Sequence, residues 1–172
     1  MITPLIVLTI LFIPTLVAAV IAHRTATYGI INLGGVLGYA AAFAFFSVGH
    51  FVITDEMVSM LPDFLPARRP IVYATGLLEG GLALALLPTR TRAYAGIGCI
   101  AVLILFFPGN IYAAINGVGP GGHQWGPVYL LLRAPLQALL IFWGYWFAVR
   151  GCEFPSVQRK LATRSSEQRR TL

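Results

Sequence analysis

Four polar side chains interrupt apolar runs that otherwise have the length to cross a bilayer, and these residues carry the chemistry the chain has to offer. Glu79 stands inside Ile71–Leu87, His50 near the end of Ile30–Ile53, Asn110 inside Ala93–Ile115 and Arg133 inside Val128–Val149. A charged side chain at the centre of a bilayer costs roughly 2.5–3.5 kcal/mol or more unless something pairs with it, so an intramembrane acid is a functional-site candidate by default. Helix rise converts position into depth: counted from the outer ends, His50 lies about 5 Å down, Asn110 and Arg133 about 8 Å and Glu79 about 12 Å. All four fall in one leaflet. A histidine, an acid, an amide and a guanidinium at one level can exchange a proton and hydrogen-bond a small molecule.

Each residue also has a structural reading. Arg133 can neutralise Glu79 as a buried ion pair, and as the only cation inside a span it is the acid's expected direct partner. His50 can be an interfacial histidine. Asn110 follows Pro108-Gly109, where the missing proline donor frees the carbonyl of Ile104 for a side-chain repair. Gln137, one turn from Arg133, suits an inter-helical hydrogen bond. Tyr73 and Tyr112 are secondary ligand candidates that also suit an interfacial aromatic belt. The sequence leaves both a ligand- or proton-handling pocket and a purely structural network open. A metal site lacks a third ligand beside His50 and Glu79 unless His123 folds in from its loop, so no metal is assigned. With neither a Ser-His-Asp set nor a carboxylate pair at depth, no catalytic residue is assigned either.

The composition dictates what must position these residues. Of 172 residues, 58% are hydrophobic and only 10% charged, whereas a soluble domain carries about a quarter charged residues. A bilayer therefore solvates most of the surface, and continuous rather than alternating apolar runs select helices over a barrel. The expected fold is an all-α integral membrane protein with five transmembrane helices: Ile2–Ala22 and the four runs above. The run Ile2–Ala22 has no charged n-region and reads as an uncleaved first helix. Residues 1–29 form this helix and a short loop, 30–149 a four-helix bundle around which the first helix is peripheral, and 150–172 a basic cytoplasmic tail.

Charge sets the orientation. Arg24, Arg90, Arg92, Arg150, Arg159, Lys160, Arg164, Arg169 and Arg170 share one side of the five-span arrangement, while Arg68 and Arg69 stand on the other among Asp55, Glu56 and Asp63. The positive-inside rule then puts the N-terminus outside and the C-terminus in the cytoplasm of a cell (inner) membrane. The net charge of +6 sits in short loops and the tail, which suits anionic lipid headgroups and excludes a nucleic-acid face. Cys99 and Cys152 form no CxxC, which disfavours dithiol redox chemistry. Gly117-Val-Gly119-Pro-Gly-Gly122 fits GxGxxG by letter only: it follows a membrane helix and not a strand, so it reads as a flexible outer connection. Gly34/Gly38 and Gly76/Gly80, each pair four residues apart, suit close helix–helix contact.

Several motifs in order resemble the DoxX-like (DoxX/DoxD) family of small membrane proteins. They are Gly49-His50-Phe51; Met60-Leu61-Pro62-Asp63-Phe64-Leu65-Pro66 with Arg68; Leu78-Glu79-Gly80-Gly81-Leu82-Ala83-Leu84; Phe106-Phe107-Pro108-Gly109-Asn110-Ile111-Tyr112; and Leu132-Arg133-Ala134-Pro135-Leu136-Gln137. The resemblance covers about Ile30 to Val149, with Gly109 where the family has Ala. It implies a four-helix bundle and an association with membrane redox complexes, because such families include subunits of quinol oxidase and of thiosulfate:quinone oxidoreductase. The chain has no haem, flavin or iron–sulfur motif, so it carries no intrinsic cofactor and a quinone is the ligand that the resemblance implies.

The expected function is an accessory subunit of a larger membrane, redox-type complex. Membrane lipids and protein subunits are its partners, and an outer-leaflet polar pocket binds a quinone-like molecule. In that pocket His50 and Arg133 would bond a carbonyl or oxyanion, Glu79 would exchange a proton and Asn110 would orient the ligand. The alternative is a stand-alone small-molecule or proton-handling membrane protein, either a transporter or a quinone-linked oxidoreductase component. A third reading leaves the buried charges purely structural.

Overall fold

The computed structural model describes residues 2–151, and every described element is helical. The tail beyond Gly151, with Cys152, lies outside the described residues. Six α-helices follow one another: α1 (Ile2–Thr25), α2 (Gly29–Val52), a short α3 (Thr54–Ser59), α4 (Arg68–Ala85), α5 (Arg92–Asn116) and α6 (Leu130–Trp143). A 3-10 segment, His123–Tyr129, leads into α6, and a π-helical turn, Gly144–Arg150, continues it. Four helical stretches are long and apolar enough to cross a membrane: Thr3–Thr25, Gly29–Val52, Arg92–Asn116 and the continuous run His123–Arg150. Helix α4 is not one of them, because its 18 residues include Arg68, Arg69 and Glu79.

Large apolar side chains stay exposed along these helices, Leu5, Ile13, Leu16 and Val20 on α1 and Leu105, Leu131 and Phe142 later among them. So much uncovered apolar surface needs a lipid solvent. The buried core is correspondingly compact, with Tyr39, Phe43, Leu11, Leu86, Leu140, Val36 and Cys99 at its centre.

Glycines set the two closest helix contacts. A Cβ on Gly34 would stand 2.5 Å from Ala18 Cβ, and one on Gly38 would overlap the Leu11 carbonyl oxygen. Helices α1 and α2 thus touch backbone to backbone at the stretch where Pro14 removes a ladder donor. Val7 and Leu11 are fully buried in the common core, and Phe12 packs edge-on against Trp143 of α6 at 4.8 Å between ring centroids. The other seam joins α2 to α4. Here a Cβ on Gly76 would meet His50 Cβ at 2.6 Å, one on Gly80 would meet Ser47 Oγ at 2.8 Å, and Ser47 Oγ donates to the Gly76 carbonyl at 2.7 Å. Both glycine pairs singled out by spacing lie at such seams.

The turns are built from specific bonds. Gly117 ends α5 in the left-handed region (φ 65°), with Val118 N–H donating to Ala113 and Gly117 N–H to Ala114. That double closure is a Schellman motif, for which glycine is the natural residue. Between α4 and α5, Thr91 Oγ1 donates to the Ala85 carbonyl at 2.7 Å, while Arg92 donates from Nε to Leu86 at 3.1 Å and from Nη2 to Leu87 at 2.9 Å. A guanidinium so placed satisfies terminal carbonyls of α4 and opposes the negative end of its dipole.

One local expectation is corrected. The connection after α5 is packed and not open: a Cβ on Gly119 would overlap the Met60 side chain, and one on Gly122 would meet the Tyr129 ring at 2.7 Å. Trp143, an aromatic of the type that favours membrane interfaces, lies instead in the core. It is buried and donates from Nε1 to the Gly35 carbonyl at 3.0 Å, tying α6 to α2.

Candidate functional site

Gly76 lets α2 and α4 approach closely enough for His50 and Glu79 to meet across the seam. Glu79 is 4% exposed and His50 9%, so neither ionises against free water. His50 Nδ1 lies 3.0 Å from the Phe46 carbonyl and 3.3 Å from Glu79 Oε2. A carbonyl only accepts, so Nδ1 carries the hydrogen and donates it to Phe46. The approach to Glu79 is then an electrostatic contact without a hydrogen bond, and Oε2 is buried with no donor.

Arg133 stands in the first turn of α6, the positive end of that helix's dipole and an unfavourable place for a cation. Its Nε is buried and has no hydrogen-bond partner. The expected direct Glu79–Arg133 pair is not formed: the acid–base contacts within 4.0 Å among the described residues are Arg68–Asp63, Arg69–Asp55 and the approach of His50 to Glu79, an ion pair only when the ring is protonated. The two charges still act on each other through the interior. Depth puts these residues at one level, but His50 of α2, across the Gly76 seam, is the basic side chain that comes within 4.0 Å of the acid.

The remaining candidates sort themselves by their bonds. Asn110 is buried and donates from Nδ2 to the Phe106 carbonyl at 3.0 Å, one turn back in its own helix, and not to Ile104 as the proline repair would require. Gln137 donates from Nε2 to the Leu103 carbonyl at 2.6 Å. It bridges α6 to α5 next to the backbone loosened by Pro108, the inter-helical role its position suggests. Tyr73 stacks on Phe51, ring centroids 5.8 Å apart and planes 7° from parallel, and is 38% exposed. That placement fits a belt pair. Tyr112 is half-buried, and its backbone carbonyl accepts from Asn116 Nδ2.

His123, considered in the sequence only as a third metal ligand, is 3% exposed. Its Nδ1 lies 2.6 Å from the Pro120 carbonyl, its ring packs edge-on against Tyr129 at 4.8 Å, and Nε2 is buried without a partner. Arg133 acts electrostatically on both His123 and Tyr129. The signal for this fold-back was the glycine run itself: Gly117, Gly119, Gly121 and Gly122 all adopt positive φ, a sequence of tight turns that rolls the chain back over the helix ends. Among the described residues, no group of three or more His, Cys, Asp or Glu side chains converges as a metal site would require.

Glu79 Oε2, Arg133 Nε and His123 Nε2 are buried polar atoms without a hydrogen-bond partner in the protein, as is Tyr39 Oη in the core, and Arg133 acts electrostatically on both Glu79 and His123. Native interiors satisfy nearly all such atoms, so each exception calls for an explanation. A small molecule with matching donors and acceptors would satisfy all three.

No curated protein and no solved structure matches the chain. A model of the family described as a domain of unknown function, DUF8561, matches residues 39–148, from the middle of α2 to the π-helical turn. That stretch holds every residue of the cluster, and with it the chain belongs to the DUF8561 family.

Proposed function

We propose that this chain is a five-span membrane protein of the cell (inner) membrane, N-terminus outside and C-terminus cytoplasmic. In this reading it serves as an accessory subunit of a membrane redox complex and binds a quinone-like small molecule at the His50–Glu79–Arg133 cluster. The observation that carries the binding reading is the set of enclosed, unbonded atoms, Glu79 Oε2 and Arg133 Nε above all. Arg133 would hydrogen-bond a ligand oxygen and Glu79 would give or take a proton. His50, its Nδ1 committed to Phe46, would hold the acid in place electrostatically. Asn110 would orient the ligand only through the end of its amide not committed to Phe106.

Helix α4 is the fifth span of this proposal. Its apolar side chains Leu77, Leu78 and Leu84 are exposed while Glu79 turns inward. Arg68 and Arg69 lie at one end, the first 2.6 Å from Asp63 and the second paired with Asp55, as suits an aqueous boundary. The redox association and the quinone come from the DoxX-like resemblance and are part of the proposal. Reporter fusions after Thr89 and at the C-terminus should both read cytoplasmic; a periplasmic reading at either overturns the topology.

The binding reading is tested by purifying the full chain at low detergent and extracting its lipid-soluble contents for mass spectrometry. A molecule bearing ring oxygens, retained at near 1:1 and reduced at least tenfold in Glu79→Leu, is the expected result. Bulk membrane lipid alone, the same in both proteins, would overturn it.

A further inference from the structure

His123 is the place to look for ligand selectivity, because its bonding fixes what its free nitrogen can do. Nδ1 lies 2.6 Å from the Pro120 carbonyl, and a carbonyl has no hydrogen to give, so Nδ1 must be the donor. In the neutral ring Nε2 then carries a lone pair and acts only as an acceptor. A second proton would place a cation on a ring only 3% exposed, at an Nε2 that faces no acceptor in the protein to receive it. The segment holding the ring is tightly built, with Gly122 at φ 121° pressed against Tyr129 and Gly119 against Met60. Nε2 cannot easily swing out to water for a partner.

The enclosed, unbonded atoms thus have a definite polarity. Arg133 Nε is a donor, His123 Nε2 is an acceptor, and Glu79 Oε2 is an acceptor when the acid is ionised. A ligand presenting only carbonyl oxygens could satisfy Arg133 but would leave the histidine acceptor bare. A ligand with a hydroxyl group could donate to an acceptor and still offer oxygen lone pairs to Arg133.

We infer that His123 is a ligand-binding residue whose Nε2 accepts a hydrogen bond from a hydroxyl group, so that the site favours phenolic or hydroquinone-type molecules over their carbonyl-only counterparts. This rests on the binding reading above and adds the hydroxyl preference and the residue responsible for it. No bond to carbon is made or broken; the selectivity is one of hydrogen-bond complementarity.

Duroquinol, its dimethyl ether and duroquinone share a ring skeleton and differ in whether they carry hydroxyl donors. Their binding to the full chain in nanodiscs can be followed by quenching of tryptophan fluorescence, with anaerobic handling to keep the quinol reduced. Duroquinol should bind about tenfold more tightly than either of the others, the scale set by leaving one buried acceptor unpaired. His123→Phe, which keeps a ring against Tyr129, should reduce that preference to less than about twofold. His123→Asn is the second variant: its amide can still donate to Pro120, it lacks the Nε2 acceptor, and it should lose the preference as well. Equal binding of the three molecules to the wild type would overturn the inference while leaving the site itself standing. So would a preference that survives in both folded variants. Failure of all three to bind would overturn the inference together with the binding reading.

Discussion

Arg92 and Arg133 hold equivalent places in their helices, each within the first turn, and each has its Nε withdrawn from water. Their surroundings differ in kind. Arg92 reaches back to the end of α4 and donates to the carbonyls of Leu86 and Leu87, so its charge lies against the negative end of a dipole. Arg133 has no such acceptors at Nε and sits at the positive end of its own helix. The α4–α5 turn shows how this protein treats a buried guanidinium when structure alone is at stake: it bonds it. Three of the four buried polar atoms left without a partner among the described residues, Arg133 Nε, Glu79 Oε2 and His123 Nε2, belong to side chains that Arg133 joins electrostatically; the fourth, Tyr39 Oη, lies in the apolar core.

The comparison can be broken or sharpened by substitution. The largest effect is expected at the α1–α2 seam, which calibrates what loss of tight packing costs. Gly38→Val would drive a side chain into the Leu11 carbonyl oxygen, and backbone cannot yield as a side chain end can. Destabilisation of about 3 kcal/mol or more should appear in thermal melts in detergent; a melting temperature within 2–3 degrees of wild type, roughly the resolution that 1 kcal/mol gives at this size, would show that the seam is not rigid. Arg92→Met removes two charge-assisted bonds and should cost about 2–3 kcal/mol in the same assay. Gln137→Leu deletes one inter-helical bond inside the membrane region and should cost about 0.5–1.5 kcal/mol. Arg133→Met should be the mildest, within about 1 kcal/mol of wild type, because the desolvation cost of a buried guanidinium with no bond at Nε is relieved and offsets the lost attraction to Glu79. Equal losses for Arg92→Met and Arg133→Met would erase the distinction between the two regions.

Much of the helical frame was legible from the run lengths, since an apolar stretch of membrane length has few alternatives to helix. The two glycine pairs also read correctly, because four-residue spacing places small residues on one face of a helix. Depth and partnership proved to be separate questions. Counting residues gives rise along an axis and says nothing of rotation about it, so the need of Glu79 for a counter-charge points to Arg133, the one cation inside a span, while His50 is the basic side chain within 4.0 Å. The same limit applies to Asn110, whose bond turned out to be one turn back along α5. His123 lay in a glycine-rich connection that letters alone render as flexible; its burial depends on four positive-φ turns acting together. Helix α3 was also missed, although Thr54 followed by Asp55 and Glu56 is a recognisable helix start. Trp143 is an aromatic of the interfacial type, yet its indole bonds Gly35 in the core.

The central claim is that the unbonded cluster exists for a ligand and not for the fold. The most direct measurement compares wild type with the double variant Glu79→Gln, Arg133→Met, recording the melting temperature and the extractable small-molecule content of the same preparations. The account predicts a melting temperature at or above that of wild type together with loss of the retained molecule. A variant that unfolds, or one that folds and keeps the molecule at the wild-type ratio, would contradict it.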